Sequence, residues 1–162
     1  MRPMSEKPPL WVVCDASGSM SEGAKHLIAR GVARVTEQYF RLGYGSADLK
    51  LVAWNKEARV VDWIPDQEFP PEMVVCESAA HAKALISLLG EQPDGKVLLI
   101  TDGFWSQDDS KVLKRWKESL QQDTLRVIKI GADANPQLKW ADVFAAEDLF
   151  AALDGWMEGG AA

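Results

Sequence analysis

Three oxygen-bearing side chains, Asp15, Ser17 and Ser19, alternate in the stretch Cys14-Asp15-Ala16-Ser17-Gly18-Ser19-Met20. Alternate residues of a tight turn, with Gly18 free to take positive φ, can aim three oxygens at one point. Oxygen-only ligands suit a hard cation, magnesium before calcium, because magnesium accepts few carboxylates and completes its octahedron with waters or borrowed oxygens. The same residues could instead cap a helix and satisfy its orphan amides. A second acid at the same place would separate these readings, and the chain offers one. Asp102 ends the apolar run Val97-Leu98-Leu99-Ile100 and is followed by Gly103.

The elements that must position these residues can be read around them. Trp11-Val12-Val13-Cys14 is a short apolar run rich in valine, the pattern of a strand buried on both faces of an α/β sheet. A helix is predicted next, capped by Ser19 or Ser21, with Glu22 in its first turn. Its apolar face would be Ala24, Leu27, Ile28, Gly31, Val32, Val35 and Tyr39. It should stop near Leu42, where Gly43-Tyr44-Gly45-Ser46 supplies a left-handed cap. Asp15, Ser17 and Ser19 then lie in a strand-to-helix turn, in the crevice beyond the carboxyl ends of the strands where open α/β sheets bind ligands. Asp102 reaches the same edge if its strand is a neighbour of the first.

The motif D-x-S-G-S at Asp15 to Ser19, together with T-D-G at Thr101 to Gly103, resembles the von Willebrand factor A-type domain and its metal-ion-dependent adhesion site. The resemblance runs from about Leu10 to Met157. It implies Ser17 and Ser19 as direct metal ligands, with Asp15 and Asp102 acting directly or through water. It also implies a third hydroxyl from a threonine, at a place where this chain has Ser78, preceded by Glu77 instead of the usual glycine. The implied ion is Mg2+, with Mn2+ or Ca2+ as alternatives, and one coordination position stays open. The positive end of the first helix favours an incoming anion there. An Asp or Glu of a partner protein would complete the octahedron. Small bacterial relatives work with AAA-type ATPases or within kinase and phosphatase modules, and the resemblance implies a partner of that kind.

Further along, Asp48 to Trp54 and Ala58 to Ile64 read as a hairpin whose second strand is an edge. Met73 to Cys76 is a brief extended piece, Ala79 to Leu89 a helix led in by Ser78, and the stretch from Lys96 a strand that ends in the acid Asp102. Ser106-Gln107-Asp108-Asp109 is a capping box opening a helix with Val112, Leu113, Trp116 and Leu120 inside. Thr124 to Ile130 is a strand, Asp133 and Asn135 are turn formers, a short strand lies near Val143-Phe144, and Glu147 to Met157 is a last helix with Leu149, Phe150, Leu153 and Trp156 inward. This order predicts an α/β fold: a doubly wound, mostly parallel sheet with one antiparallel edge strand and helices on both faces. The expected organisation is a flexible lead-in over residues 1–9, one domain over 10–157 and a frayed tail over 158–162.

Composition bounds the function. At 162 residues, 47% hydrophobic and 26% charged, the chain is an ordinary globular protein. A formal charge of −6 argues against nucleic acid as a partner. No apolar run reaches membrane length, and residues 1–9 lack the core of a signal peptide, so a cytoplasmic protein that engages no membrane is expected. Cys14 and Cys76 read as free buried thiols; a zinc site joining them to His81 has no C-x-x-C spacing to support it. A magnesium-dependent phosphoesterase built on Asp15 would need a second acid two residues on, where Ser17 stands, and a later acidic pair, where Thr101-Asp102 offers one acid. There is no phosphate-gripping loop, and neither His26 nor His81 is placed for a triad. The expectation is a protein-binding domain and not an enzyme, with a metal-free scaffold of the same fold as the other alternative. Trp105, three residues after Asp102, is a candidate for the rim of the docking face.

Overall fold

The computed structural model describes residues 7–157 apart from Asp66, Val74 and Asp133. Most of the lead-in and the tail over 158–162, together with Asp133, therefore lie outside the described residues. Six strands form one sheet in the order β3-β2-β1-β4-β5-β6. They are β1 (Pro9–Asp15), β2 (Asp48–Trp54), β3 (Ala58–Val61), β4 (Lys96–Thr101), β5 (Leu125–Lys129) and β6 (Val143–Ala145). All neighbouring pairs run parallel except β2 with β3. The predicted α/β architecture is therefore the observed one.

The central strands β1 and β4 bury both faces, which is why they read as unbroken apolar runs. On one face Leu10, Val12, Cys14, Leu98 and Ile100 pack under α1 (Lys25–Arg41) and α4 (Leu149–Leu153). On the other, Val13, Val97 and Leu99 pack under α2 (Ala82–Leu89) and α3 (Gln107–Ser119). Cys14 stands beside Ile100 in register, so the residues that follow each of them emerge at one edge. Among the described residues no helix is long and apolar enough to cross a membrane.

Four expectations are corrected. The lead-in is shorter than nine residues, because β1 begins at Pro9 and the Pro8 carbonyl accepts from the Asp48 amide at 2.9 Å. Proline fits that first strand position, where no ladder donor is needed. The buried face of α1 is Lys25, Ala29, Val32, Ala33, Thr36, Glu37, Tyr39 and Phe40, while Leu27 and Ile28 are exposed. Helix α2 starts at Ala82, three residues later than predicted, because its cap comes from elsewhere: Asp109 of α3 accepts from the Ala82 amide at 2.9 Å. The last helix is only Leu149–Leu153, after a 3-10 turn over Ala146–Asp148, and it leaves Phe150 exposed.

Candidate functional site

At the end of β1 the chain turns on its own acid. The Ser17 amide donates to Asp15 Oδ1 at 2.8 Å, the local bond by which Asp competes with strand pairing and starts a turn. The Ala16 amide still pairs with the Trp54 carbonyl at 2.7 Å, so the turn is tied to β2. A 3-10 segment, Gly18–Ala24, follows, closed by Ser21 Oγ donating to the Gly18 carbonyl at 2.8 Å. Gly18 does not take positive φ as expected. The left-handed step comes later, at Gly23 and Ala24, both with φ of 58°. Helix α1 therefore starts after Ala24, and Ser19 and Ser21 are not its caps.

At the end of β4, Thr101 and Asp102 are fully buried. Thr101 Oγ1 donates to Asp15 Oδ2 at 2.6 Å and accepts from the Gly103 amide at 3.0 Å. One hydroxyl thus ties the two strand ends together. The Phe104 amide donates to Asp102 Oδ1 at 3.1 Å. Gly103 has φ of 78°, and a Cβ there would stand 2.8 Å from Leu138 Cδ2, so the turn after Asp102 requires glycine. Asn135 holds the turn from outside: its amide donates to the Asp102 carbonyl at 2.9 Å and its Nδ2 to the Gly103 carbonyl at 3.0 Å.

The structure thus brings Asp15, Ser17, Ser19 and Asp102 together. Ser17 Oγ lies 3.5 Å from Ser19 Oγ. Ser78 reaches the same loop through its backbone: its carbonyl accepts from the Gly18 amide at 2.8 Å, next to a bond from the Glu77 amide to the Ala16 carbonyl at 3.0 Å. Its own φ is 63° and the residue is exposed. Burial holds the Asp15 carboxyl above the ordinary carboxylate range; hydrogen bonds from Ser17 and Thr101 oppose this, and the charge of Asp102 adds to it.

The residue that sequence reasoning missed is Lys25. It is the first residue of α1, only 2% exposed, and its Nζ donates to Asp102 Oδ2 at 3.1 Å. The Phe104 ring lies 5.3 Å from that ammonium. Phe104, at 44% exposure, is the aromatic at the rim, whereas Trp105 packs its ring against Trp54 and Trp140, each at 6.1 Å. Burial pushes the Cys14 thiol up to about 12 and that of Cys76 up to about 11. Among the described residues there is no cluster of three or more His, Cys, Asp or Glu that could hold a metal.

The donor set was tested for a divalent cation on its chemistry. It consists of oxygen only, two carboxylates and two hydroxyls, which is what a hard cation takes. The 3.5 Å between the hydroxyls is close to the edge of an octahedron around such an ion, about 3 to 3.5 Å from metal–oxygen distances of ~2.1 to ~2.5 Å. Asp15 is already oriented by donors on both of its oxygens, as an outer ligand would be. The residues fit such an ion, with one qualification of chemistry: Asp102 Oδ2 already has a cation on it.

No protein-family model matches the chain, and no curated protein matches it. Among solved structures it is similar to von Willebrand factor type A from Catenulispora acidiphila, with a TM-score of 0.65 and 17% identity over 94% of this chain and 43% of that one. It is also similar to the manganese-loaded TRAP protein of Plasmodium vivax, with a TM-score of 0.59 and 14% identity over 95% of this chain and 74% of that one. Proximal thread matrix protein 1 from the mussel byssus aligns with a TM-score of 0.51 and 13% identity over 92% of this chain and 44% of that one. The chain thus spans less than half the length of the first and third. At these identities what is shared is the fold.

Proposed function

We propose that this chain, which has the fold of the von Willebrand factor A-type domain, binds a partner protein by docking one of its Asp or Glu side chains on a divalent cation at the carboxyl ends of β1 and β4. The observation that carries this reading is the convergence of Asp15, Ser17, Ser19 and Asp102 from two adjacent strands at one edge, with the two acids buried. Ser17 and Ser19 would hold the ion by their hydroxyls, and Asp15 and Asp102 would balance its charge. Magnesium is the first choice and manganese the second; the manganese carried by the TRAP structure supports a cation of this class. When bound, the ion supplies a Lewis-acidic point to which a carboxylate can attach.

The chain's own residues prepare that point without chemistry. Thr101 fixes the spacing of the strand ends through Asp15, and Asn135 with Gly103 fixes the turn that presents Asp102. Ser78 anchors its segment against Gly18 through its carbonyl, and in this reading its hydroxyl turns in to complete the ligand set. The hydroxyls that stand beside a carboxylate, those of Ser17 and Thr101, serve to hold Asp15 at the strand end, and the role proposed is binding and not catalysis. The test is a calorimetric titration of Mn2+ into the wild type and into Ser17→Ala/Ser19→Ala, followed by capture of partners from a native extract with Mg2+ and with EDTA. A single weak site that the variant loses, and capture that EDTA abolishes, are expected. Equal capture in EDTA would refute metal dependence.

A further inference from the structure

Lys25 is in a place that general principles disfavour three times over. Its side chain is buried at 2% exposure, and an ammonium leaves water only at a cost. It opens helix α1, where the positive end of the helix dipole repels cations. It follows two successive left-handed residues, one of them an alanine, for which that conformation is strained. Costs of this kind gather where a side chain has a task, because only the surrounding structure can hold it there.

The position of the ammonium tells which task. It bonds Asp102 Oδ2, on one of the two carboxylates that would balance the cation's charge, and it comes from the helix that follows the Ser17–Ser19 loop after the 3-10 segment Gly18–Ala24. Phe104 covers it from the rim while the Phe104 amide holds the other oxygen of the same carboxylate. The buried charge of Asp102 is therefore already met by a cation that the chain itself supplies. A divalent ion at this carboxylate would stand beside the ammonium, and two cations at one buried carboxylate repel each other, so they compete for it.

We infer that Lys25 is a tethered counter-ion that closes the site against metal, so that a divalent cation binds only by displacing the Lys25 ammonium from Asp102. This rests on the cation-dependent reading above and adds a gate to it. The resting site is self-neutralised, and the partner's carboxylate is captured only when metal has taken the place of the lysine. The left-handed pair Gly23–Ala24 is the hinge that sets the direction of Lys25.

The experiment compares Mn2+ affinity, by calorimetry and by electron paramagnetic resonance of the free ion, in the wild type and in Lys25→Met. The variant is expected to bind at least about tenfold more tightly. Its melting temperature should rise steeply with added Mn2+ while that of the wild type rises little. If Lys25→Met does not fold, Lys25→Gln and a resonance experiment on the wild type decide. There, the signal of the salt-bridged Lys25 ammonium should shift to that of a solvated lysine as Mg2+ saturates. Equal affinities in wild type and variant, or a lysine signal unmoved by bound metal, would overturn the gate and leave the metal reading standing. No binding by either protein up to ~10 mM, weaker than the range of structured calcium sites, would overturn both.

Discussion

Replacing Thr101 by Val should cost far more than its size suggests, because a fully buried hydroxyl is the clasp between β1 and β4. Valine keeps the shape and removes two bonds. The first is a 2.6 Å donation to the Asp15 carboxylate, a charge-assisted bond of the kind whose loss costs about 1.5–3 kcal/mol. The second is acceptance from the Gly103 amide at 3.0 Å, which leaves a buried N–H without a partner at about 1–3 kcal/mol. Together roughly 2.5–6 kcal/mol would go, a large share of the 5–15 kcal/mol that holds an ordinary domain. Thr101→Ser keeps the hydroxyl and loses one methyl group, about 0.8 kcal/mol. Urea unfolding followed by fluorescence of the seven tryptophans would read the difference. If Val and Ser variants unfold within ~0.5 kcal/mol of each other, the margin expected of surface changes, the hydroxyl is not the clasp.

Three further outcomes follow from the structure. Asp109→Ala removes the cross-helix cap on Ala82 and the bond that Asp109 Oδ2 accepts from Ser106 Oγ, and should cost about 1–2 kcal/mol; amide exchange should quicken at residues 82–85 more than in α1. Ala24→Gly relieves a left-handed alanine worth about 1–2 kcal/mol against an unfolded-chain cost of about 0.4–1 kcal/mol. A rise in melting temperature of ~1–3 °C is expected, and a fall would mean the strain is not there. Cys14, held up to about 12 by burial, should resist a thiol-specific disulfide reagent at pH 8 in the native protein and react once it is unfolded. Fast native reaction at Cys14 would contradict its burial.

Much of the fold could be read from the chain because its strands are buried on both faces. Such strands appear as unbroken apolar runs, as Val97–Ile100 does; Lys96–Thr101 stops one residue before the acid expected to end it, and Asp48–Trp54, buried from Leu51 on, has the bounds expected of it. Helix α3 was legible because its cap is local, Ser106 Oγ accepting from the Asp109 amide at 3.0 Å. The start of helix α2 was not, because its cap is supplied by Asp109 of another helix, and no pattern in its own sequence announces that. The face of α1 was misread because Leu27, Ile28 and Gly31 make a plausible apolar stripe, while the true face is built from small and polar residues: Ala29, Ala33 and Thr36, whose hydroxyl bonds back to the Val32 carbonyl at 2.7 Å. Lys25 lies one turn before Ala29 on that face, so the periodicity Lys25, Ala29, Val32, Thr36 was the one available signal for it. Asn135 was read as a turn former, and it is one, its Oδ1 accepting from the Gln137 amide at 3.0 Å. Its second role, holding Gly103, depends on a contact 32 residues away.

The buried lysine also answers a question that the two acids pose by themselves. A carboxylate at zero exposure stays charged only with an opposite charge or several donors beside it, including whenever no metal is bound. Breaking a buried ion pair by removing one partner costs about 3–5 kcal/mol, a large share of the ~5–15 kcal/mol that holds an ordinary domain. A site whose only cation came and went with solution conditions would therefore make folding itself depend on metal. Lys25 removes that dependence by keeping Asp102 neutralised through the chain's own covalent structure, and Phe104 keeps water from the pair. The same device sets the terms on which a metal can enter: it must bind the site's oxygens better than the lysine binds Asp102, and a partner's carboxylate adds the last increment. Selectivity for divalent over monovalent ions then arises from the competition, because a single positive charge gains nothing by replacing an ammonium that is already in place.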